Sequence, residues 1–192
     1  MFDSPFFALR TLAAGASNHS RMNEHEWLLV SANQLFNRAL KLGWFEQAKA
    51  AVFQHPNQLI DLNDAQLAIS GRHALGLHTV PLNHIRASFG RAHDFDAQFY
   101  PRTDRNRERW QGVALARLQG FALPAISLIQ IGSLYGVMDG HHRLSVARAL
   151  EQLEIEAEIT QWEVAEPPLF HESPAGINRW IQTKLVPQWR LS

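Results

Sequence analysis

The sequence predicts an α+β protein: a small mixed sheet, preceded by a helical N-terminal extension and followed by one C-terminal helix. Three observations predict it. Residues 23–54 and 104–119 carry apolar side chains at helical spacing. Residues 125–131 and 155–159 read as strands. Between those strands, Leu134 to Leu150, LYGVMDGHHRLSVARAL, runs from a short apolar strand through Asp139-Gly140 straight into a helix.

Composition sets the bounds. The chain has 192 residues, 46% hydrophobic and 19% charged, enough to bury a core. Its formal net charge is zero, which argues against a protein that coats nucleic acid. There is no cysteine, so disulfides, thiolate zinc sites and cysteine catalysis are excluded. No apolar run approaches the roughly 20 residues of a membrane helix. The start, MFDSPFFALRTLAAGAS, has the small residues Ala14-Gly15-Ala16 of a cleavage site, but Asp3 precedes its apolar run and Arg10 breaks it. A cytoplasmic protein without membrane contact is the expectation.

Residues 1–22 are expected to be poorly ordered. A helix begins at Asn23, which has capping-box spacing to Glu26. Leu28, Ala32, Leu35, Phe36, Ala39 and Leu40 make its apolar face, and Gly43 is read as its end. A second helix is expected over Trp44–Gln54, with Phe45, Ala48 and Val52 inward, stopped by His55-Pro56. A third, shorter one is expected after Asn63, through Ala65, Leu67 and Ala68. Trp27 and Trp44 are expected as core anchors. Residues 23–76 thus form a helical extension with no chemistry of its own.

From residue 77 the character changes. Leu77–Ile85, LHTVPLNHI, reads as a strand and a turn. His93, Asp94 and Asp96 form a loop that could hold a metal, but turn chemistry with Phe95, Phe99 and Tyr100 as anchors is the better reading, and no metal site is assigned. Asp104 is expected to cap a helix to Gln119 with Trp110, Val113, Ala114 and Leu118 buried, and Gly120 ends it. Arg105 and Arg109, four residues apart, either line an anion pocket or are solvated beside Glu108. Gly132-Ser133 is a hairpin turn. The tail, 162–192, carries one amphipathic helix started by Ser173-Pro174, with Ile177, Trp180, Ile181 and Leu185 on one face.

The helix start at His141-His142-Arg143 is unusual, because a helix N-terminus carries free N–H groups and partial positive charge. Two histidines and an arginine oppose that field, and a bound anion reverses the sign. Phosphate would take the N–H groups of residues 141–143 and a fork from Arg143, with Gly140 allowing close approach. The competing reading is a solvated helix start, with Asp139-Gly140 as an ordinary turn pair.

The run Gly140-His141-His142-Arg143, between a strand and LSVARAL, resembles the phosphate-binding motif of the ParB/sulfiredoxin fold. ParB-type proteins have Gly-Glu-Arg-Arg at that place and sulfiredoxins Gly-Cys-His-Arg. The resemblance covers residues 77–161. It rests also on the order strand, arginine loop, helix ending in glycine, Leu-Pro, strand, hairpin, strand, glycine motif, helix, strand. Small bacterial proteins with this motif and a helical extension are similar overall.

The resemblance implies nucleotide binding, with Mg²⁺ and a nucleoside triphosphate, CTP or ATP, as ligands. Gly140, His141, His142 and Arg143 would hold phosphate, and Arg91 is the candidate for a second nucleotide-contacting arginine. Asp139, His141 or His142 would serve as base in NTP hydrolysis or phosphoryl transfer, or Asp139 would hold Mg²⁺. Sulfiredoxin chemistry is ruled out by the missing thiol, and the ParB glutamate is replaced by His141. The alternative is a non-catalytic regulatory or DNA-associated module. DNA is the less favoured partner, because 31 residues after 161 are too few for a helix-turn-helix reader and residues 23–70 hold few cations. A homodimer through the C-terminal helix is the further expectation.

Overall fold

A computed structural model describes residues 23–53, 57–63 and 69–164. The expected disorder of residues 1–22, the short helix through Ala65–Ala68 and the C-terminal amphipathic helix lie outside the described residues. Helix α1 spans Glu24–Phe53. Strands follow as β1, Ile60–Asp61, β2, Ile69–Pro81, and β3, Ile85–Ser88. Helix α2 is Arg107–Leu118. Then come β4, Ile126–Ile131, β5, Leu134–Asp139, helix α3, His141–Ala149, and β6, Glu154–Val164. The α+β class is as expected. One six-stranded mixed sheet has the order β1-β3-β5-β4-β6-β2. No helix among the described residues is long and apolar enough to cross a membrane.

The start of α1 is the predicted capping box: Glu26 N–H donates to Asn23 Oδ1 at 2.8 Å, and Asn23 N–H donates to Glu26 Oε2 at 3.2 Å. Its predicted face, Leu28 to Leu40, is buried. The expected break at Gly43 does not occur. The two helices are one of 30 residues, and Gly43 is buried within it. A Cβ there would lie 2.8 Å from the Pro101 carbonyl oxygen, so the glycine serves a close approach of the 92–103 loop and not a helix end. With the helix continuous, Trp44 points outward at 57% exposure, and Phe45, Ala48 and Val52 are also exposed, against the expectation of an inward face.

Three apolar clusters hold the fold. Helices α1, α2 and α3 meet around Trp110, which packs edge-on to Phe36 at 5.3 Å and whose indole N–H donates to Ser145 Oγ at 2.8 Å. Between the sheet and α3 lie Ile85, Ile126, Leu128, Val137, Leu144 and Ile159, closed by Phe95 and Phe99. On the other sheet face, Leu62 covers Ile129, Ile131, Leu134 and Trp162.

Helix α2 is shorter than expected at its start. Asp104–Asn106 form a 3-10 turn, and Thr103, not Asp104, accepts the capping N–H from Arg105. Asp104 pairs with Arg107 at 2.8 Å. The predicted end is a Schellman motif at Gly120 (φ +82), with Phe121 N–H to Ala116 O and Gly120 N–H to Arg117 O. Helix α3 ends the same way on a non-glycine residue, Glu151 at φ +58. Strand β2, expected from Leu77, begins at Ile69, and β6 runs on to Val164 because the two pair antiparallel over their whole length.

Candidate functional site

Strands β3 and β5 run parallel, so their C-terminal ends lie side by side. Ser88 closes β3. Asp139 and Gly140 end β5, and α3 starts at His141. Gly140 sits at φ +92, and a Cβ there would lie 2.5 Å from Ile126 Cγ2. Only glycine satisfies both conditions. Its structural role is therefore the sharp turn and the packing on Ile126.

No side chain among the described residues caps α3. The first intrahelical bond is Leu144 N–H to Gly140 O, which leaves the N–H groups of residues 141–143 as helix-start donors.

The structure gathers His141, His142 and Arg91, and adds residues the sequence did not single out. His141 is buried, with Nε2 2.8 Å from Ser88 Oγ. That hydroxyl also accepts the Arg91 N–H at 3.3 Å, which fixes the start of the following loop. Arg91 Nη1 donates to His142 Nε2 at 3.1 Å. A guanidinium can only donate, so Nε2 accepts and the neutral ring carries its proton on Nδ1. Nδ1 is buried with no partner among the described residues. Phe95 lies between the two imidazoles, stacked on His141 at 6.1 Å and edge-on to His142 at 5.6 Å. Both histidines thus face one cluster despite being adjacent on a helix.

Burial pushes both imidazoles down to about 4, and the Arg91 charge adds to it; Arg109 acts on His142 in the same sense. Both are neutral at pH 7, so they do not oppose the helix field. Arg91 is held by Asp94 at 3.1 Å, which also accepts from Asn106 at 3.3 Å. Asp96, the other loop carboxylate, uses Oδ1 to accept the N–H groups of Gln98 and Tyr100. The acids of this loop therefore organise it, and among the described residues no group of three or more histidines and carboxylates could hold a metal.

Arg143 differs from the expected clamp. Its Nη1 donates to the carbonyls of Pro124 and Ala125 at 2.7 and 2.8 Å, and Nη2 to Asp139 at 2.6 Å. It straps the Leu-Pro link to the end of β5. Asp139, the candidate base or Mg²⁺ ligand, is exposed and has one oxygen engaged by that arginine.

Two hollows flank the site. A cavity of about 10 Å³, room for one water, lies against His142 and is bounded by Asp94, Thr103 and Asn106. A groove of about 680 Å³ lies beside Arg143, lined by Arg117, Ala125, Val146, Glu154 and Ile155.

No family model matches the chain, and no curated protein matches it in sequence. Among solved structures, the crystal structure of sulfiredoxin from Arabidopsis thaliana is similar at 17% identity and a TM-score of 0.34, over 43% of this chain and 82% of that chain. So distant a likeness bears on neither ligand nor chemistry.

Proposed function

We propose that the chain binds a phosphate-bearing ligand, a nucleotide, at the N-terminus of α3. The observation that carries this reading is an α3 start without a side-chain cap, set beside a partly exposed arginine, Arg91, that the fold delivers from the end of β3. Phosphate satisfies the N–H groups and the helix field together. The neutral state of His141 and His142 removes the penalty their charge would impose. The resemblance of Gly140–Arg143 to the ParB/sulfiredoxin motif supports a nucleoside triphosphate with Mg²⁺ as the ligand.

Binding without turnover, a regulatory module, stands ahead of NTP hydrolysis or phosphoryl transfer for one specific reason. The two buried imidazoles are engaged, His141 with Ser88 and His142 with Arg91, which leaves one exposed oxygen of Asp139 as the free candidate. A general base needs a free lone pair within reach of the proton it takes.

The test is calorimetric titration with pyrophosphate, CTP, ATP, GTP and ADP, each with and without Mg²⁺. Wild type and Arg91→Ala are compared, with melting curves for both. Micromolar binding by the wild type, lost in a folded Arg91→Ala, is expected. A folded wild type that binds none of the five overturns the reading. Arg143→Ala is the poorer probe, since its loss also releases Pro124 and Ala125.

A further inference from the structure

Helix α1 leaves the body of the protein at Gly43, the last of its buried residues. Residues 44–53 continue as helix beyond it. Along the first half of α1, the face opposite the buried one is polar after Val30: Gln34, Asn37 and Lys41 lie on it. From Trp44 that same face turns apolar. Trp44, Phe45, Ala48, Ala51 and Val52 fall within an arc of about 120° at helical spacing. All five are exposed, Trp44 at 57%, Phe45 at 60% and Val52 at 75%. A polar outer face is what a solvated helix needs, and half of α1 has one. The other half is built to be covered.

We propose that a second copy of this chain covers it, the two α1 overhangs pairing antiparallel about a two-fold axis near Ala48. The stripe is self-complementary under that operation. About that axis Phe45 meets small Ala51 of the other copy, Trp44 meets Val52, and Ala48 meets Ala48, so the large side chains at each end lie against smaller ones. The charges beside the stripe do not oppose approach. Lys49 is already paired with Glu46 at 2.8 Å within each helix, and Glu46 lies on the side of the helix turned away from the stripe.

The area is sufficient. Each copy offers roughly 400 Å² of apolar side chain, taking aromatics at about 200 Å² each. Two copies, with the stems of Lys41 and Lys49, reach about 1,000 Å², the lower bound for a specific interface.

The chain has no cysteine, so an introduced one reports on a single position. Ala48→Cys, beside the axis, should form a disulfide-linked dimer under mild oxidation. Gln34→Cys, on the same face but in the polar half, should form no cross-link. In sedimentation equilibrium from about 1 to about 200 micromolar, the wild type should dimerise. The double variant Trp44→Glu, Val52→Glu should remain a monomer with an unchanged melting curve, since both positions are exposed. A wild type that is monomeric throughout, with no cross-link formed by Ala48→Cys, overturns the proposal. Protection of the introduced thiol from a thiol reagent in that monomer would mean that the chain's own residues cover the stripe.

Discussion

Arg91 donates its Nη1 proton to Nε2 of His142 across 3.1 Å, and this one bond sets the tautomer of the imidazole. Burial is the larger cause of the low pKa of His142, and the guanidinium is the second. Arg91→Ala should therefore raise that pKa from about 4, but not to its ordinary 6.5. Nitrogen-15 chemical shifts of the ring should report protonated Nδ1 in the wild type at pH 7 and a mixture of tautomers in the variant. An unchanged tautomer would show that Arg91 does not govern the ring.

The paired low values have a consequence for stability. The unfolded chain takes up protons on His141 and His142 near 6.5, whereas the folded chain waits until about 4. Between these values the unfolded state binds more protons, so stability falls as pH falls through that window. Each histidine accounts for up to about 3 kcal/mol. Denaturant unfolding at pH 7, 5.5 and 4.5 should show a progressive loss. A His141→Gln, His142→Gln variant should lose less over the same range.

Asp96 works in the opposite direction. Burial raises its carboxyl from 3.8 to about 6 despite the N–H groups of Tyr100 and Gln98, and Oδ2 is buried without a partner among the described residues. Between those values the folded state holds the extra proton, so this group's contribution to stability is lost as pH rises. At pH 7 the fold carries a buried, half-satisfied carboxylate. Asp96→Asn keeps an acceptor for the loop N–H groups and removes the charge. It should stabilise the protein by about 1–2 kcal/mol at pH 7, part of the linkage going to weaker neutral hydrogen bonds. The gain should vanish near pH 4, which paired melts at the two pH values would check.

Gly140→Ala should be destabilising by about 2–4 kcal/mol, from a left-handed backbone and a forced repacking of Ile126. Its Cβ would sit 2.5 Å from Ile126 Cγ2. In an Ile126→Ala background, with that variant as the reference, Gly140→Ala should cost only the backbone part. Equal melting of Gly140→Ala and the wild type would remove the glycine from the structural argument and leave ligand approach as its only use.

Much of this was legible in the sequence, and the misses share a cause. The Asn23–Glu26 box, the α2 stripe on Trp110, the Gly120 end and the Gly132-Ser133 turn are local, and local chemistry fixed them. Residues 69–76, assigned from the sequence to the helical extension, belong to β2; SGRHALG has no apolar alternation because β2 is an edge strand, mostly exposed, made by backbone pairing with β6. In the site, Gly140 to Arg143 and Arg91 stood out by motif, and the fold does bring Arg91 to His142. Ser88 did not stand out, and Phe95 did so only as a loop anchor, because their meaning lies in contacts about fifty residues away in sequence, as between Ser88 and His141. The strapping of Arg143 to Pro124 and Ala125 is likewise a long-range fact.

Gly43 is the sharpest of these misses and the most easily tested. A glycine after an apolar stripe reads as a helix end, and here it is a tertiary contact inside a continuous helix. Alanine favours a helix interior over glycine by about 1 kcal/mol. Its Cβ would press on the Pro101 carbonyl at 2.8 Å and lie 3.3 Å from Tyr100 Cβ, and overpacking against a backbone atom costs about 1–3 kcal/mol. Gly43→Ala should therefore lose up to about 2 kcal/mol net, while far-ultraviolet dichroism keeps its full helix signal. Amide exchange decides the helix itself. Protection should run unbroken through the N–H groups of Trp44, Phe45 and Glu46, whereas a helix that restarted at Trp44 would leave those three among the fast-exchanging amides.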